Sequence, residues 1–519
     1  MTVASLLRRV WPFLLAVVVG VASFTAVNAG ESGVLDTSLL PFDRPSRAAL
    51  ASSPRKVVAH WMGLPLRYYS HKNTYDGYID ALDPAGEQGK HFKAGGYIRN
   101  RPIPAPMPLP ADFAAKGAYL DIQLAAEIGI DAFMMNCWYG PENWRWRYEL
   151  GAMFDAADKY SKENEPGFYL APNIDGYIVA EEIKRNPSSA DFKPERFADN
   201  FAQFRDRKSY LKIDGKYVVG VFSPESLPVK WFEAFRERLH THQMDVRLIA
   251  FFLDPRYRDK YEKTFDVYSR FDILPFSIIE SEAKDRQWAE DRGKGFVTGV
   301  GQSYDRSDGG ITIESGGFQT EIGSWERAMK DGAEMVHIIT WNDHYEGSNL
   351  RPNTGSQYAY YDVAAYYIAW YKTGEQPKIV RDVLYYMHRM HLSTVGYDPK
   401  LQPAKTVSKN ELPLEDKIYL LGFLKDGGTM TITSGGRDYS QTFGPGIHTL
   451  AAPLSENDRP HFSLKIGDAA TIDFASAFKT RGPDVKWQDF YYRGGGSSRP
   501  PVPSVQNNLP EDRWTKMSK

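Results

Sequence analysis

Met335-Val-His-Ile-Ile339-Thr-Trp341-Asn342-Asp343-His-Tyr-Glu346-Gly-Ser348 decides how this chain is read. The apolar run Met335–Ile339 reads as a buried strand. It stops at Trp341 and delivers an amide, Asn342, and two acids, Asp343 and Glu346, into the following turn. Two carboxylates just past a buried strand are what glycoside hydrolysis requires: one protonates the leaving oxygen, and the other activates water or attacks the sugar carbon. Trp341 offers an apolar face for a sugar ring. The competing reading is a plain cap, in which Asn342 and Asp343 only start the next helix or turn.

Working outward from that strand, the same pattern recurs from Lys56 onward. Short apolar runs alternate with helical ones. The candidate strands are Val57–Met62, Asp131–Cys137, Gly167–Pro172, Tyr217–Phe222, Arg247–Leu253, Asp272–Phe276, Gly295–Gly301 and Met335–Trp341. Amphipathic stretches such as Ala118–Ile128, Met153–Ser161, Pro194–Arg205, Val229–His242 and Gly323–Lys330 fit between them. Eight strand-helix units imply parallel strands closed into a (β/α)₈ TIM barrel over residues 56–390. The sixth strand is the least regular, because Pro275 interrupts it. The stretch from Leu64 to Lys116 is a long insertion with a Pro-rich run, Arg101–Pro110, expected to pack over the top of the barrel.

After Met390 the pattern changes. Ile418–Leu424, Thr429–Ser434, Tyr439–Phe443, Gly446–Leu450, His461–Ile466 and Ala470–Phe474 are short, alternating and separated by turn residues. They predict a small C-terminal antiparallel β-sandwich domain, residues 391–480. The Gly, Ser and Pro-rich stretch near the end predicts a loosely ordered tail over 481–519. Residues 30–55 read as a linker. Residues 1–29 read as an export signal: Arg8 and Arg9, an apolar run from Val10 to Phe24, and small residues before cleavage at Ala29. With a single cysteine, Cys137, no disulfide closes within the chain. An exported protein without disulfides suits a bacterial periplasm or the extracellular medium, with no stable membrane insertion after cleavage.

Acids and bases nearly balance, with a formal net charge of −2, and that argues against a nucleic-acid partner. Aromatics reach 14%, which suits either a large core or a sugar-binding cleft.

In a barrel of this kind chemistry sits on the loops after the strand C-termini. Here those ends carry His60 and Trp61, Asn136 and Trp138, Asn173, Asp175 and Tyr177, Asp254, Gln302 and Tyr304, and finally Trp341, Asn342, Asp343 and Glu346. Asp175 reads either as a carboxylate facing Asp343 and Glu346 across a cleft or as a turn residue in Asp-Gly. Asp343, Glu346 and Asp175 are the candidate catalytic acids. His60, Trp61, Asn136, Trp138, Asn173, Tyr177, Gln302, Tyr304, Trp341 and Asn342 are the candidate substrate contacts. Trp144 and Trp146 are candidate outer platforms or loop packing, and His337 belongs to the core. No Gly-rich phosphate loop and no nucleophile motif is present. Scattered Asp and His show no ligand spacing, so no metal and no cofactor is expected.

These residues resemble glycoside hydrolase family 71, the α-1,3-glucanases or mutanases. The resemblance rests on Val58-Ala-His60-Trp-Met, on Gly129-Ile-Asp131-Ala-Phe133-Met-Met-Asn136, on Asp214-Gly-Lys-Tyr-Val-Val219, and most on Thr340-Trp-Asn-Asp343 with Glu346 three residues on. It covers roughly Lys56 to His391, and the trailing β-domain is similar to the family's accessory domain. The resemblance implies inverting, metal-free hydrolysis of α-1,3-linked glucan by the Asp and Glu of this segment, with an Asp after the third strand assisting. On that basis Glu346 is assigned as acid and Asp343 as base, and the two roles remain interchangeable. The chain departs from the family at His344-Tyr345-Glu346-Gly-Ser-Asn349 and at Gly301–Arg306, both substrate-contacting loops. The expected partner is therefore a polysaccharide or oligosaccharide. An endo-α-mannosidase-like specificity on the same barrel is the enzymatic alternative, and a non-catalytic glycan-binding protein is the other.

Overall fold

A computed structural model describes residues 36–63, 77–103, 113–137, 144–271, 279–402, 404–409 and 412–501. Eight parallel strands form its centre: β1 Lys56–Trp61, β2 Ala132–Cys137, β3 Tyr169–Asp175, β4 Lys216–Phe222, β5 Val246–Phe252, β6 Val267–Arg270, β7 Gly295–Val300 and β8 Met335–Ile338. Each pairs with the next, and β8 returns to β1 with Val57 opposite Val336. The sheet is therefore a closed barrel. Helices fill most crossovers, among them Phe113–Glu127 after β1, Trp144–Glu163 after β2, Val229–Thr241 after β4 and Gln319–Lys330 after β7. Only a 3₁₀ segment, Pro255–Tyr261, joins β5 to β6.

Side-chain alternation divides the core in two. Val58, Ala132, Met134, Ala171, Val218, Ile249, Phe251, Val267 and Val297 fill the barrel interior. Their neighbours one residue away, including Val57, Phe133, Leu170, Val219 and Leu248, pack outward on the helices.

The C-terminal region adds β9 Val383–His388, β10 Lys417–Leu424, β11 Gly428–Ser434, β12 Arg437–Phe443, β13 Gly446–Pro453, β14 His461–Ile466, β15 Ala469–Ala475 and β16 Arg493–Gly496. They form two antiparallel sheets, ordered β13-β10-β9-β16 and β12-β11-β14-β15. Strand β10 is buried on both faces. Ile418 and Leu420 point into the sandwich, while Tyr419, Leu421 and Phe423 join the core around the barrel. Phe423 meets Tyr366, centroids 5.2 Å apart, on the helix Ala359–Thr373 that follows β8. That helix is apolar nearly all round because it lies between the barrel and this sheet.

Several expectations are corrected. The sixth strand is Val267–Arg270; the Pro-containing stretch 272–276 lies outside the described residues. Strand β8 ends at Ile338, short of Trp341. The tail expected to be loose is packed over its first part: Trp487, Phe490, Tyr491, Tyr492 and Arg493 are buried, and β16 pairs with β9. The region read as a linker is packed from residue 36, with Leu40, Phe42 and Leu50 in the core. The signal segment and Trp138 lie outside the described residues, as do 64–76 and 104–112 of the insertion.

Candidate active site

The turn after β8 builds itself from its own hydroxyl and carboxylate. Thr340 Oγ1 accepts the Asp343 N–H at 2.9 Å, and Asp343 Oδ1 accepts the Glu346 N–H at 2.9 Å. The Ser348 N–H closes on the Asp343 carbonyl at 3.1 Å. The loop after β7 is laced to this turn. Asp305 N–H donates to the Glu346 carbonyl at 2.8 Å, Ser303 Oγ to the Gly347 carbonyl at 2.7 Å, and the Gln302 amide to the Ser348 carbonyl. Tyr304 OH reaches Glu346 Oε1 at 3.3 Å, and Arg306 Nη1 lies 3.6 Å from the same oxygen.

Asp175 closes β3 and caps the helix Gly176–Arg185, accepting the Ile178 N–H at 3.0 Å. The amide of Asn136, at the end of β2, donates to its other oxygen at 3.2 Å, and Asn173 donates to Asn136 Oδ1 at 2.9 Å. Gly220 on β4 makes room for this chain, since a Cβ there would lie 2.3 Å from Asn173 Oδ1. Asn136, Asn173 and Asp175 share the inward parity of their strands.

The acids are electrostatically joined. Burial pushes Asp343 well above the usual carboxylate range, and the charge of Glu346 pushes it further; backbone N–H groups of Glu346 and Tyr345 pull the other way. Burial also raises Glu346, against Arg306 and the Tyr304 hydroxyl. Burial lifts Asp175 to about 6, with Ile178 and Asn136 opposing and Glu346 adding to the rise. Buried carboxyls that feel one another's charge resist ionising together, and Asp343 is the member that burial and Glu346 hold protonated at neutral pH. Asp343 and Asp175 are buried, while the Glu346 side chain keeps 28% of its surface open.

The expected contacts divide. Tyr177, 53% exposed in the first turn after β3, and Tyr304 flank the acids. His60 lies in the barrel interior, with its ring 5.3 Å from that of His337 and 4.9 Å from that of Phe271, and burial pushes it down to about 3, so it is neutral. Trp61 and Trp341 point outward into the core and present no ring face to the acids. Trp61 donates to Asp121 Oδ2 at 2.9 Å, and Trp341 packs on Phe133. Asn342 is buried and clamps Met62, accepting its N–H at 2.7 Å. Gln302 is spent on the Ser348 carbonyl.

Three partners had no signal in the sequence. Arg306 follows Tyr304 closely but lies in no motif. Lys409, over the Tyr304 ring at 5.2 Å, arrives from the sandwich side of the chain. Asn100 accepts from His344 Nδ1 at 2.6 Å from within the insertion.

A family model, glycosyl hydrolase family 71, matches residues 110–481. "Glucan endo-1,3-alpha-glucosidase agn1" of Schizosaccharomyces pombe (strain 972 / ATCC 24843) is 23% identical over 379 residues, covering 66% of this chain and 82% of that protein. The "Ascus wall endo-1,3-alpha-glucanase" of the same organism is 23% identical over 262 residues, covering 47% and 56%. Among solved structures, the GH99 endo-alpha-mannosidase from Bacteriodes thetaiotaomicron in complex with BIS-TRIS-Propane has a TM-score of 0.45 at 14% identity, covering 61% of this chain and 97% of that one. With a family match over well over half of its length, laid on a closed parallel barrel, this chain belongs to glycosyl hydrolase family 71 and is a glycoside hydrolase.

Proposed function

We propose that this enzyme hydrolyses α-1,3-glucosidic bonds of a polysaccharide glucan outside the cytoplasm, with inversion, through Glu346 and Asp175. The observation that carries the mechanism is the placement of the three acids, each raised by burial above the usual carboxylate range. Asp343 and Glu346 stand on one turn; burial raises both above the usual carboxylate range, and the charge of Glu346 raises Asp343 further. Glu346 is the more open of the two, so it is the group that protonates the glycosidic oxygen. A general base must be ionised, and the rise in Asp343 argues against that role. Asp175, on β3 three strands round the barrel from β8, is charged above about pH 6 and is the better base. It takes a proton from water, whose oxygen attacks the anomeric carbon as the leaving oxygen takes the proton of Glu346. Asp343 holds Glu346 in place through its N–H and keeps its proton available. This reading exchanges the roles first expected of Asp343 and Asp175.

The linkage is supported by the two yeast relatives, whose names specify endo-1,3-alpha cleavage. Export is supported by the N-terminal signal pattern in the sequence.

The experiment is reducing-sugar release from α-1,3-glucan, mixed-linkage α-glucans and α-mannan, beside Glu346→Gln, with the anomer of the first product read by NMR. Release from α-1,3-glucan as the β-anomer, lost in the variant, is expected. Release from α-mannan alone replaces the substrate, the α-anomer overturns inversion, and binding without release overturns the enzyme reading.

A further inference from the structure

The described part of the insertion, residues 77–103, lies against the turn that carries Glu346, and the hydrolytic chemistry uses none of its titratable groups. Besides the Asn100–His344 bond, the Tyr97 ring lies 6.4 Å from that of Tyr345, and Ser307 Oγ donates to the Tyr97 carbonyl at 2.5 Å. From the other side Trp487 Nε1 donates to the Phe92 carbonyl at 2.6 Å. The segment is therefore a bracket between the catalytic turn and the C-terminal packing.

Within it Asp80, Glu87 and His91 converge, with one ligand-type atom from each lying within 4.8 Å of the others. His91 is the informative member. Its side chain is 1% exposed. Nδ1 lies 3.0 Å from the Asp80 carbonyl. A carbonyl only accepts, so Nδ1 carries the proton and donates it. Nε2 is the ring nitrogen left without such a bond. That atom is buried, has no hydrogen-bond partner, and faces Glu87 Oε1 at 3.8 Å. The cluster's own contacts do not resolve this. Asp80 Oδ1 accepts the Glu87 N–H at 3.1 Å, and Lys90 Nζ, on an exposed side chain, lies 3.7 Å from Glu87 Oε2. A buried ring nitrogen turned toward the Glu87 carboxylate, with the Asp80 carboxylate in the same cluster, is left without a hydrogen-bond partner.

We propose that Asp80, Glu87 and His91 form a structural site for one divalent transition cation of the zinc type, with water completing the coordination. The donor set selects the class, because calcium and magnesium prefer all-oxygen ligands whereas imidazole with carboxylates suits zinc. An imidazole anchored through Nδ1–H to a carbonyl is also the usual orientation of a metal-binding histidine. Tetrahedral zinc places its ligand atoms about 3.4 Å apart, so the set closes by roughly 1 Å on binding. Glu87, 49% exposed, is free to supply that movement. The sequence hid the site because its members come from a short helix and the strained turn after it rather than from a compact ligand motif.

The test uses the purified, tag-free full chain, stripped with a chelator and titrated with ZnCl₂ by calorimetry, with bound metal counted by plasma mass spectrometry and melting followed in parallel. One zinc per chain and a raised Tm are expected. Glu87→Gln and Asp80→Asn should each weaken zinc at least about tenfold while melting like the wild type in chelator, and His91→Gln should abolish binding. If His91→Gln fails to fold, the half-exposed Glu87 variant still decides. Zinc binding unchanged in Glu87→Gln, or a wild-type Kd weaker than about 1 mM, overturns the proposal.

Discussion

His60 and Trp61 are adjacent on β1 and have opposite surroundings. His60 points into the barrel and Trp61 into the layer between barrel and helices, because successive strand residues face opposite sides. The same parity that aims Asn136, Asn173 and Asp175 inward withdraws Trp61, and Trp341 likewise faces outward. A Trp next to an acid in sequence is thus no evidence of a sugar platform. Trp341→Ala should cost about 3–5 kcal/mol in denaturant unfolding, as for a filled core position. Tyr177→Ala should leave Tm unchanged and raise KM for polymer. Titration adds a second expectation. Asp175 sits near 6 when folded, against about 3.9 for an unperturbed carboxyl, and Asp343 is raised in the same direction. The folded state therefore takes up these protons first as pH falls. The cost of burying Asp175 as an anion is full above about pH 6 and is relieved as pH drops toward 4, so stability falls as pH rises through that window. Asp343→Asn, which removes one such burden, should melt a few degrees above wild type at pH 8 while losing most of its kcat, as thermal scans and steady-state rates will show.

At the scale of elements, strands with a β-branched or apolar run and a clear turn were legible, and seven of the eight barrel strands fell within two residues of their expected starts and within three of their ends. The sixth did not, and the third ends three residues beyond its expected end. Strand β3 runs on through Asn173 and Asp175, since its polar end is inside the barrel, where amides and acid satisfy one another. The sixth strand, Val-Tyr-Ser-Arg, is short and half polar, and its signal is weaker than that of the Pro-containing run beyond it. Strand β9 was hidden for a different reason: buried on both faces, Val383–His388 has no alternation to detect. Strand β16 reads as a loop, Arg-Gly-Gly-Gly, yet its glycines are demanded by β9. A Cβ at Gly494 would lie 2.5 Å from Met387 Sδ, and one at Gly496 would lie 2.6 Å from Tyr385 Cδ1. The site depends on one such close approach. Gly220→Ala should push Asn173 off Asn136, cost about 1–3 kcal/mol by overpacking, and lower kcat more than it raises KM, because Asp175 loses its support. Unchanged kinetics in Gly220→Ala would separate Asp175 from the amide chain.

Across the whole molecule, the placement of Asp175, Asp343 and Glu346 at or just after strand ends was legible because each sits in a local motif. Arg306, Lys409 and Asn100 were not, since their places depend on loops brought together from 40 to 244 residues apart in the chain. The boundary between barrel and sandwich was also obscured, because the two cores share a wall. Glu314 receives Arg389 Nη1 at 2.8 Å, Tyr492 OH at 2.7 Å and the Glu415 N–H at 2.8 Å, so the loop after β7, β10's approach and the C-terminal segment meet on one buried carboxylate. Truncation after Gly482 should leave that carboxylate and Arg389 short of partners and expose the helix Ala359–Thr373. The expected product is insoluble or molten, judged by loss of near-ultraviolet dichroism, rather than a free barrel with reduced affinity. A soluble, active truncation would show that the packing of residues 487–493 is dispensable.

Strand β10, with one face in each core, carries this further. Two layers of a chain separate and move independently only where the seam between them is small and polar. Here the seam is Tyr419, Leu421 and Phe423 seated against Tyr366 and its neighbours. Parting the sandwich from the barrel would bare this wall to water, so the two are expected to melt in a single cooperative transition, which calorimetry will show as one peak.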